Sequence, residues 1–128
     1  MAGRVAVVTG GTRGIGGAIS RMLKDKGYRV AATYAGNDEA AQKFKAETGI
    51  GVYKFDVCDF DACQKAVAEI EKDLGPVEVL VNNAGITRDS TMRRLTRDMW
   101  EAVIDTNLNG VFYASQAAAK VCSPLHAP

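Results

Sequence analysis

Several residue types that mark particular classes of protein are scarce in this sequence. Its 128 residues include one histidine, His126, which excludes a histidine-rich metal site, and we expect no metal cofactor. Its three cysteines, Cys58, Cys63 and Cys122, form neither a Cys-x-x-Cys motif nor the even set of a secreted disulfide framework. A reducing compartment is therefore expected, and with it a soluble, cytoplasmic protein.

An excess of charge and a long hydrophobic run are also missing. Lys and Arg number 16 against 15 Asp and Glu, a formal net charge of +1. This balance provides no basic footprint for nucleic acid and no polybasic membrane anchor. No apolar run approaches the roughly 20 residues of a membrane span, and no signal-peptide pattern precedes the strand-like segment at Val5. We expect neither a nucleic-acid partner nor a membrane.

The sequence instead alternates short apolar runs with amphipathic segments. Strands are predicted at residues 5–8, 29–33, 52–55 and 77–81. Helices with a 3.6-residue period are predicted from Ile15 to Leu23, over 39–48, from an N-cap at Asp59 to Leu74 and, as one long helix, from an N-cap at Thr96. The predicted buried stripe of the first helix is Ile15, Ala18, Ile19, Met22 and Leu23, and that of the long helix is Trp100, Val103, Ile104, Asn107, Val111 and Ser115. The order predicts an α/β fold: a single Rossmann-like, doubly wound parallel sheet in residues 1–128, with strand order 3-2-1-4. The nucleotide crevice would lie between strands one and four.

A glycine-rich loop, residues 9–16, joins the first strand to the first helix. A pyrophosphate requires backbone N–H groups at a helix N-terminus with no side chains in the way, and glycine permits both the turn and the approach. The alternative is an ordinary glycine-rich turn, but the flanking strand and helix favour phosphate binding. The candidate cofactor residues here are Gly10, Thr12, Arg13, Gly14, Ile15 and Gly16.

The TGxxxGxG spacing of this loop, and Asn82-Asn83-Ala84-Gly85 after the fourth strand, resemble the two cofactor signatures of the classical short-chain dehydrogenases/reductases. The resemblance covers about residues 4–116. It implies a dinucleotide-dependent oxidoreductase whose cofactor ribose lies against Asn83, Ala84, Gly85, Ile86 and Thr87. An unrelated flavodoxin-like receiver would not explain both motifs.

The end of the second strand bears on the choice of cofactor. NAD-binding Rossmann units normally have Asp or Glu there, whereas this sequence has Tyr34 and no acid before Asp38, which we interpret as a helix cap. Arg13 in the glycine loop either faces a 2′-phosphate or is a solvated surface charge. In the family a basic residue at this position resembles an NADP marker, so the resemblance implies NADPH/NADP, with Tyr34 among its contacts.

Asp56-Val57, at the end of the third strand, resembles the pair that contacts adenine in this family. A carboxylate can accept a hydrogen bond from the adenine amino group. The alternative is that Asp56 only terminates the strand.

The amino-acid sequence of three segments, residues 34–39, 85–89 and 105–108, most resembles that of the acetoacetyl-CoA reductases of polyhydroxybutyrate synthesis. These enzymes are near relatives of the 3-oxoacyl-[acyl-carrier-protein] reductases. This implies reduction of acetoacetyl-CoA to 3-hydroxybutyryl-CoA, an acyl-CoA or acyl-carrier-protein substrate, and the homotetramer usual in the family. By the same resemblance Asp89 contacts the acyl substrate. From chemistry alone Asp89 is equally an exposed loop charge.

Asn107 falls on the apolar stripe of the predicted long helix, between Ile104 and Val111. A buried amide without partners costs about 1–3 kcal/mol, so Asn107 is predicted to be hydrogen-bonded. The matching asparagine in the family belongs to the catalytic tetrad and organises a proton relay. The alternative is a structural asparagine at a helix irregularity, and both roles are compatible.

The resemblance also requires a catalytic serine and a Tyr-x-x-x-Lys motif. None of the four tyrosines, Tyr28, Tyr34, Tyr53 and Tyr113, has a lysine four positions later. An irregular tail is predicted from about residue 121, and we expect a truncated or frame-altered chain whose fourth strand is an apolar edge. Two readings stay open: the cofactor-binding half of such a reductase, or a catalytically inactive nucleotide-binding fragment.

Overall fold

The computed structural model describes residues 3–121 as a four-stranded parallel sheet with helices on both faces. Its strands are β1 (Val5–Val8), β2 (Arg29–Tyr34), β3 (Gly51–Lys54) and β4 (Val77–Val81), in the order β3-β2-β1-β4. The predicted α/β fold and strand order are therefore confirmed. The predicted tail, with Cys122 and His126, lies outside the described residues apart from Val121.

In the part of the chain that the structure describes, five α-helices connect or follow the strands. They are α1 (Gly14–Asp25), α2 (Asp38–Thr48), α3 (Phe60–Leu74), α4 (Arg97–Ile104) and α5 (Gly110–Lys120). Side-chain oxygens of Asn37, Asp59 and Thr96 cap α2, α3 and α4 by accepting from backbone amides at 3.0–3.1 Å. None of the helices within residues 3–121 is long and apolar enough to cross a membrane.

The core lies on both faces of the sheet because neighbouring residues of β1 point to opposite sides. Val5 and Val7 pack with α3 and α5, whereas Val8 packs with α1 and α2. All four residues of β1 are buried, which explains its uninterrupted apolar sequence. This burial fixes the carboxyl end of the central strand, where the glycine loop begins.

The predicted buried stripe of α1 is wrong in part. Ile15 and Met22 are 77% and 64% exposed, whereas the buried positions are Gly16, Gly17 and Ser20. Small residues face the protein because this end of the helix approaches the backbone of the loop and sheet closely. Hydrophobic periodicity cannot reveal such an interface, because it assigns the apolar side chains to the inside.

The predicted long helix is interrupted by a π-helical turn, Asp105–Asn109, between α4 and α5. The predicted stripe is also wrong here, because Trp100 is 59% exposed and Val111 is 37% exposed. In α5 the buried residues are Gly110, Ala114, Ala117 and Ala118. The extra residue of a π turn rotates the faces of the helix that follow it, so a constant period could not predict them.

Strand β4 pairs with β1 and, within residues 3–121, forms an edge of the sheet. Its last three residues, Val79, Leu80 and Val81, are half-buried. The first residue of the strand is also bonded to the end of α5, because the Val77 amide donates to the carbonyl of Val121, the C-cap residue of that helix, at 2.9 Å. The predicted apolar edge is therefore present in the described residues.

Candidate cofactor site

A cavity of about 680 Å³ lies at the carboxyl ends of the four strands. This is the edge of a parallel sheet where α/β proteins bind their ligands. Four chain segments line the cavity, each of which follows a strand, and the π turn closes one side. The predicted cofactor residues that line it are Gly10, Thr12, Arg13, Gly14, Tyr34, Asp56, Val57, Asn83, Ala84, Gly85 and Ile86.

The remaining predicted residues lie outside the lining. Ile15, Gly16 and Thr87 are not among the residues that form the cavity wall, and neither is Asp89, which is exposed. Its neighbour Arg88 does line the cavity. Asn107 is also absent from the lining. A place in the cavity wall does not by itself show a contact, so the roles assigned to all of these residues, inside and outside the lining, remain predictions.

The Thr9 hydroxyl joins the two sides of the crevice. Thr9 is 2% exposed, and its Oγ1 accepts from the amides of Asn83 at 3.1 Å and Ala84 at 3.0 Å. The Asn83 side chain completes the connection by donating to the Gly10 carbonyl at 3.1 Å. Local sequence patterns do not identify this role of Thr9, because its hydrogen-bond partners are more than 70 residues away. Its position at the end of β1 was the available signal.

The glycine loop leaves room for a phosphate. A Cβ on Gly14, whose φ is +57°, would meet no atom within 4 Å, so the space above it is open. A Cβ on Gly16 would lie 2.0 Å from the Gly10 carbonyl oxygen and 2.4 Å from Asn83 Nδ2. Gly16 is therefore required for the close approach of α1 to both sides of the crevice. Open space at the N-terminus of a helix is the kind of position where proteins bind phosphate groups, so the loop is suited to a diphosphate.

The end of the cavity beside β2 contains Arg13, Tyr34 and Asn37. Arg13 is the exposed N-cap residue of α1 and forms no salt bridge within residues 3–121. The interpretation of Asp38 as a helix cap is wrong, since Asn37 caps α2 and Asp38 pairs with Lys54 at 3.0 Å. Asn37 can take the cap because it tolerates the left-handed conformation there, with φ of 44°. Arg13 is thus a cation with no carboxylate partner in this region.

The segment after β3, residues 55–58, lines another part of the cavity. Asp56 Oδ1 accepts from the Cys58 amide at 2.9 Å, an Asx turn that supports its strand-ending role. A carboxylate retains the capacity to accept further hydrogen bonds, so adenine recognition remains a prediction. Cys58 Sγ lies 3.0 Å from Thr106 Oγ1 and connects this segment to the π turn. Burial raises the pKa of the Cys58 thiol, which keeps it protonated near neutral pH.

Asn107 holds the segment after β4. Its Oδ1 accepts from the Ile86 amide at 2.8 Å, and its Nδ2 donates to the Ile86 carbonyl at 2.9 Å. The predicted hydrogen-bonding role is therefore present, and so is the helix irregularity. The predicted burial is wrong, because Asn107 is exposed. Asn107 lies in the π turn, where its side chain is held by the Ile86 peptide and not by the core, and it is not among the residues that line the cavity.

The fold and the crevice together define a nucleotide-binding α/β protein. The family model for short chain dehydrogenase matches residues 4–123 of the sequence. The chain belongs to the short-chain dehydrogenase family.

Individual relatives agree with this assignment. The chain is 63% identical over 109 residues to an acetoacetyl-CoA reductase of Shinella zoogloeoides, covering 85% of this chain and 45% of the relative. It is 44% identical over 118 residues to a 3-oxoacyl-[acyl-carrier-protein] reductase of Staphylococcus aureus (strain N315), covering 88% and 48%. The chain thus spans about half the length of the curated relatives it matches.

Solved structures share the architecture. A short chain dehydrogenase from Burkholderia cenocepacia J2315, determined in complex with NADP, superposes with a TM-score of 0.86 at 38% sequence identity. The superposition covers 96% of this chain and 52% of that one. The described fold therefore corresponds to about half of a short-chain dehydrogenase.

Proposed function

We propose that this chain binds NADPH and is the cofactor-binding part of a reductase that acts on 3-oxoacyl thioesters. The observation that carries the proposal is the cavity between the glycine loop and the Asn83–Ile86 segment, joined at its base by Thr9. The open space at Gly14 receives the diphosphate, because the amides at the start of α1 point a positive dipole at it.

Arg13 supports NADPH over NADH. Arg13 lines the same cavity as Tyr34 at the end of β2, where the adenosine ribose is expected, and no salt bridge neutralises its guanidinium within the described residues. A guanidinium forms strong, paired hydrogen bonds with phosphate oxygens. A carboxylate at the β2 end would repel the 2′-phosphate, but Tyr34 occupies that position.

The substrate class is proposed from the relatives. The Shinella relative is named an acetoacetyl-CoA reductase, and the Staphylococcus relative a 3-oxoacyl-[acyl-carrier-protein] reductase. The higher identity to the former favours reduction of acetoacetyl-CoA to 3-hydroxybutyryl-CoA, with the carrier-protein reaction as the alternative. Asp89, beside the cavity-lining Arg88, is proposed to contact the acyl group.

In this proposal, the residues of this chain bind the cofactor and orient the groups around it. NADPH, when bound, supplies the hydride for a carbonyl carbon. Asn107 fixes the Ile86 peptide beside the cavity, and its exposed position allows it to order water for a proton relay. No Tyr-x-x-x-Lys occurs in the 128 residues, so the proton donor of the reductase lies in residues other than these. Positioned acid–base groups typically contribute about 10²–10⁴-fold to the rate.

The proposal is tested by measuring binding and turnover separately on the purified chain. NADPH binding is followed by the fluorescence of the reduced nicotinamide, with NADH as the comparison. Oxidation of NADPH is followed by absorbance with acetoacetyl-CoA, and then with acetoacetyl-acyl-carrier protein. We expect saturable binding that favours NADPH, and no oxidation above the rate of the mixture without protein.

The two measurements have different consequences. Absence of NADPH binding by folded chain would overturn the proposed function. Oxidation of NADPH by these 128 residues would overturn the inference that the proton donor lies elsewhere. Adding the C-terminal part of the Shinella relative as a separate chain is expected to produce NADPH oxidation. Comparing its rates with acetoacetyl-CoA and with acetoacetyl-acyl-carrier protein shows which thioester the assembled protein prefers.

A further inference from the structure

Ser20 is a buried hydroxyl on α1 that the proposed function does not use. The side chain is 0% exposed, and its single O–H is shared between the Gly11 carbonyl oxygen, 2.8 Å from Oγ, and the Gly16 carbonyl oxygen, 3.0 Å from Oγ. The contact with Gly16 is the local bond to the preceding turn that helical serines commonly form. The contact with Gly11 is different, because it connects the helix to the glycine loop nine residues earlier.

The Gly11 residue is held on both sides. Its amide donates to the Thr33 carbonyl at 3.0 Å, while its carbonyl accepts from Ser20. A Cβ at Gly11 would lie 2.8 Å from Ser20 Oγ and 2.7 Å from the Val8 carbonyl oxygen. Gly11 is therefore packed into the protein, whereas Gly10 and Thr12 on either side of it line the cavity.

We infer that Ser20 is a positioning residue for the phosphate-binding loop, whose hydroxyl keeps the Gly11 carbonyl turned into the protein. The inference rests on the proposed function. In a trans peptide the carbonyl and the following N–H point in opposite directions, so the inward Gly11 carbonyl directs the Thr12 N–H outward. Because Thr12 lines the cavity, this orientation presents an amide to a phosphate and withdraws the carbonyl that would repel it.

The test compares ligands with and without phosphate. Loss of one hydrogen bond in Ser20→Ala is expected to raise the Kd for NADPH about threefold to tenfold. The Kd for adenosine, measured by displacement of NADPH, is expected to stay unchanged, because adenosine does not use the loop amides. Ser20→Cys keeps the shape of the side chain with a slightly larger atom and a weaker donor, so its NADPH Kd is expected to fall between those of wild type and Ser20→Ala. It provides the same readout where the alanine variant does not fold.

Thr48→Ala is the matched control. It also removes a hydroxyl with two hydrogen bonds, to the Phe44 carbonyl at 2.7 Å and from the Ile50 amide at 3.1 Å, but at the opposite end of α2 from the cavity-lining Asn37. We expect a lower Tm and an unchanged NADPH Kd. If wild type binds NADPH and the Ser20 variants bind it equally, or lose adenosine in parallel, the inference is overturned and the proposed function stands. If wild type does not bind NADPH, both are overturned.

Discussion

At the scale of single residues, Thr9 shows how one side chain can organise a crevice. It is the first residue after β1. Its hydroxyl accepts two backbone amides from the segment after β4 and donates to the Val81 carbonyl at 3.4 Å. Amides at these distances from a nearly buried hydroxyl have little access to water. Removing the acceptor would therefore lower the free energy of unfolding as well as disturb the geometry of the crevice.

Replacement of Thr9 by valine tests this role. Thr9→Val keeps the shape of the side chain and removes the acceptor. It is expected to lower the free energy of unfolding by about 1–3 kcal/mol, measured by urea denaturation followed by circular dichroism. Thr9→Ser keeps the oxygen and loses only a methyl group. The account is contradicted if the serine variant is the less stable of the two.

Arg13 is the residue on which the choice of cofactor depends. Arg13→Ala is expected to raise the Kd for NADPH about tenfold or more, because a hydrogen bond to a charged group typically contributes about 1.5–3 kcal/mol. The Kd for NADH is expected to change little. Arg13→Lys keeps the charge without the planar fork, and an intermediate preference is expected. An unchanged ratio of the two Kd values in Arg13→Ala would rule out a 2′-phosphate contact.

At the scale of elements, the glycine loop and α1 form a unit that depends on one small residue. Gly16→Ala would place a Cβ 2.0 Å from the Gly10 carbonyl oxygen and within the Asn83 contact, so the two sides of the crevice must separate. We expect a lower Tm and loss of NADPH binding.

The neighbouring position provides the control for Gly16. In Gly17→Ala the added Cβ meets the Thr12 carbonyl carbon at 3.4 Å, an ordinary contact. Alanine is the better helix former by about 1 kcal/mol, so Gly17→Ala is expected to be neutral or stabilising. Thermal unfolding followed by circular dichroism separates the two variants. Equal effects would show that helix propensity, rather than the close approach at Gly16, determines stability.

The elements also show what local sequence can and cannot predict. The strands, their order and the caps at Asp59 and Thr96 followed from short-range patterns and were confirmed. The π turn and the small-residue face of α1 did not, because both depend on contacts with distant segments. Asn107 combines the two cases, since its hydrogen bonding was predicted but its exposure was not.

At the scale of the whole molecule, burial of the Cys63 thiol makes the free energy of unfolding depend on pH in the alkaline range. Burial, with smaller contributions from Asp59 and Asp56, raises the pKa of Cys63 from its ordinary value of 9.0 to about 11. The protonated thiol is therefore the form that the fold favours. Its contribution is fully present below about pH 9 and is lost as the pH rises through about 11.

The expected measurement is a series of urea denaturation curves between pH 8 and 11, in reducing buffer. We expect the free energy of unfolding to fall with increasing pH, and the fall to be smaller in Cys63→Ala. Tyr53→Phe serves as a second variant, because burial and the hydrogen bond to Asp73 raise the pKa of Tyr53 to about 12 and place its effect at higher pH. An identical pH dependence in Cys63→Ala would contradict the assignment to Cys63.

An NMR titration of the ¹⁵N-labelled chain with NADPH shows directly whether the dinucleotide binds in the crevice. If the dinucleotide lies across the crevice with its diphosphate at the start of α1, amides of residues 10–16 and 83–87 will shift together and saturate at one Kd. Amides of the α2 carboxyl end, around Thr48, will not move. Shifts confined to other parts of the sheet, or none in folded protein, would contradict the account.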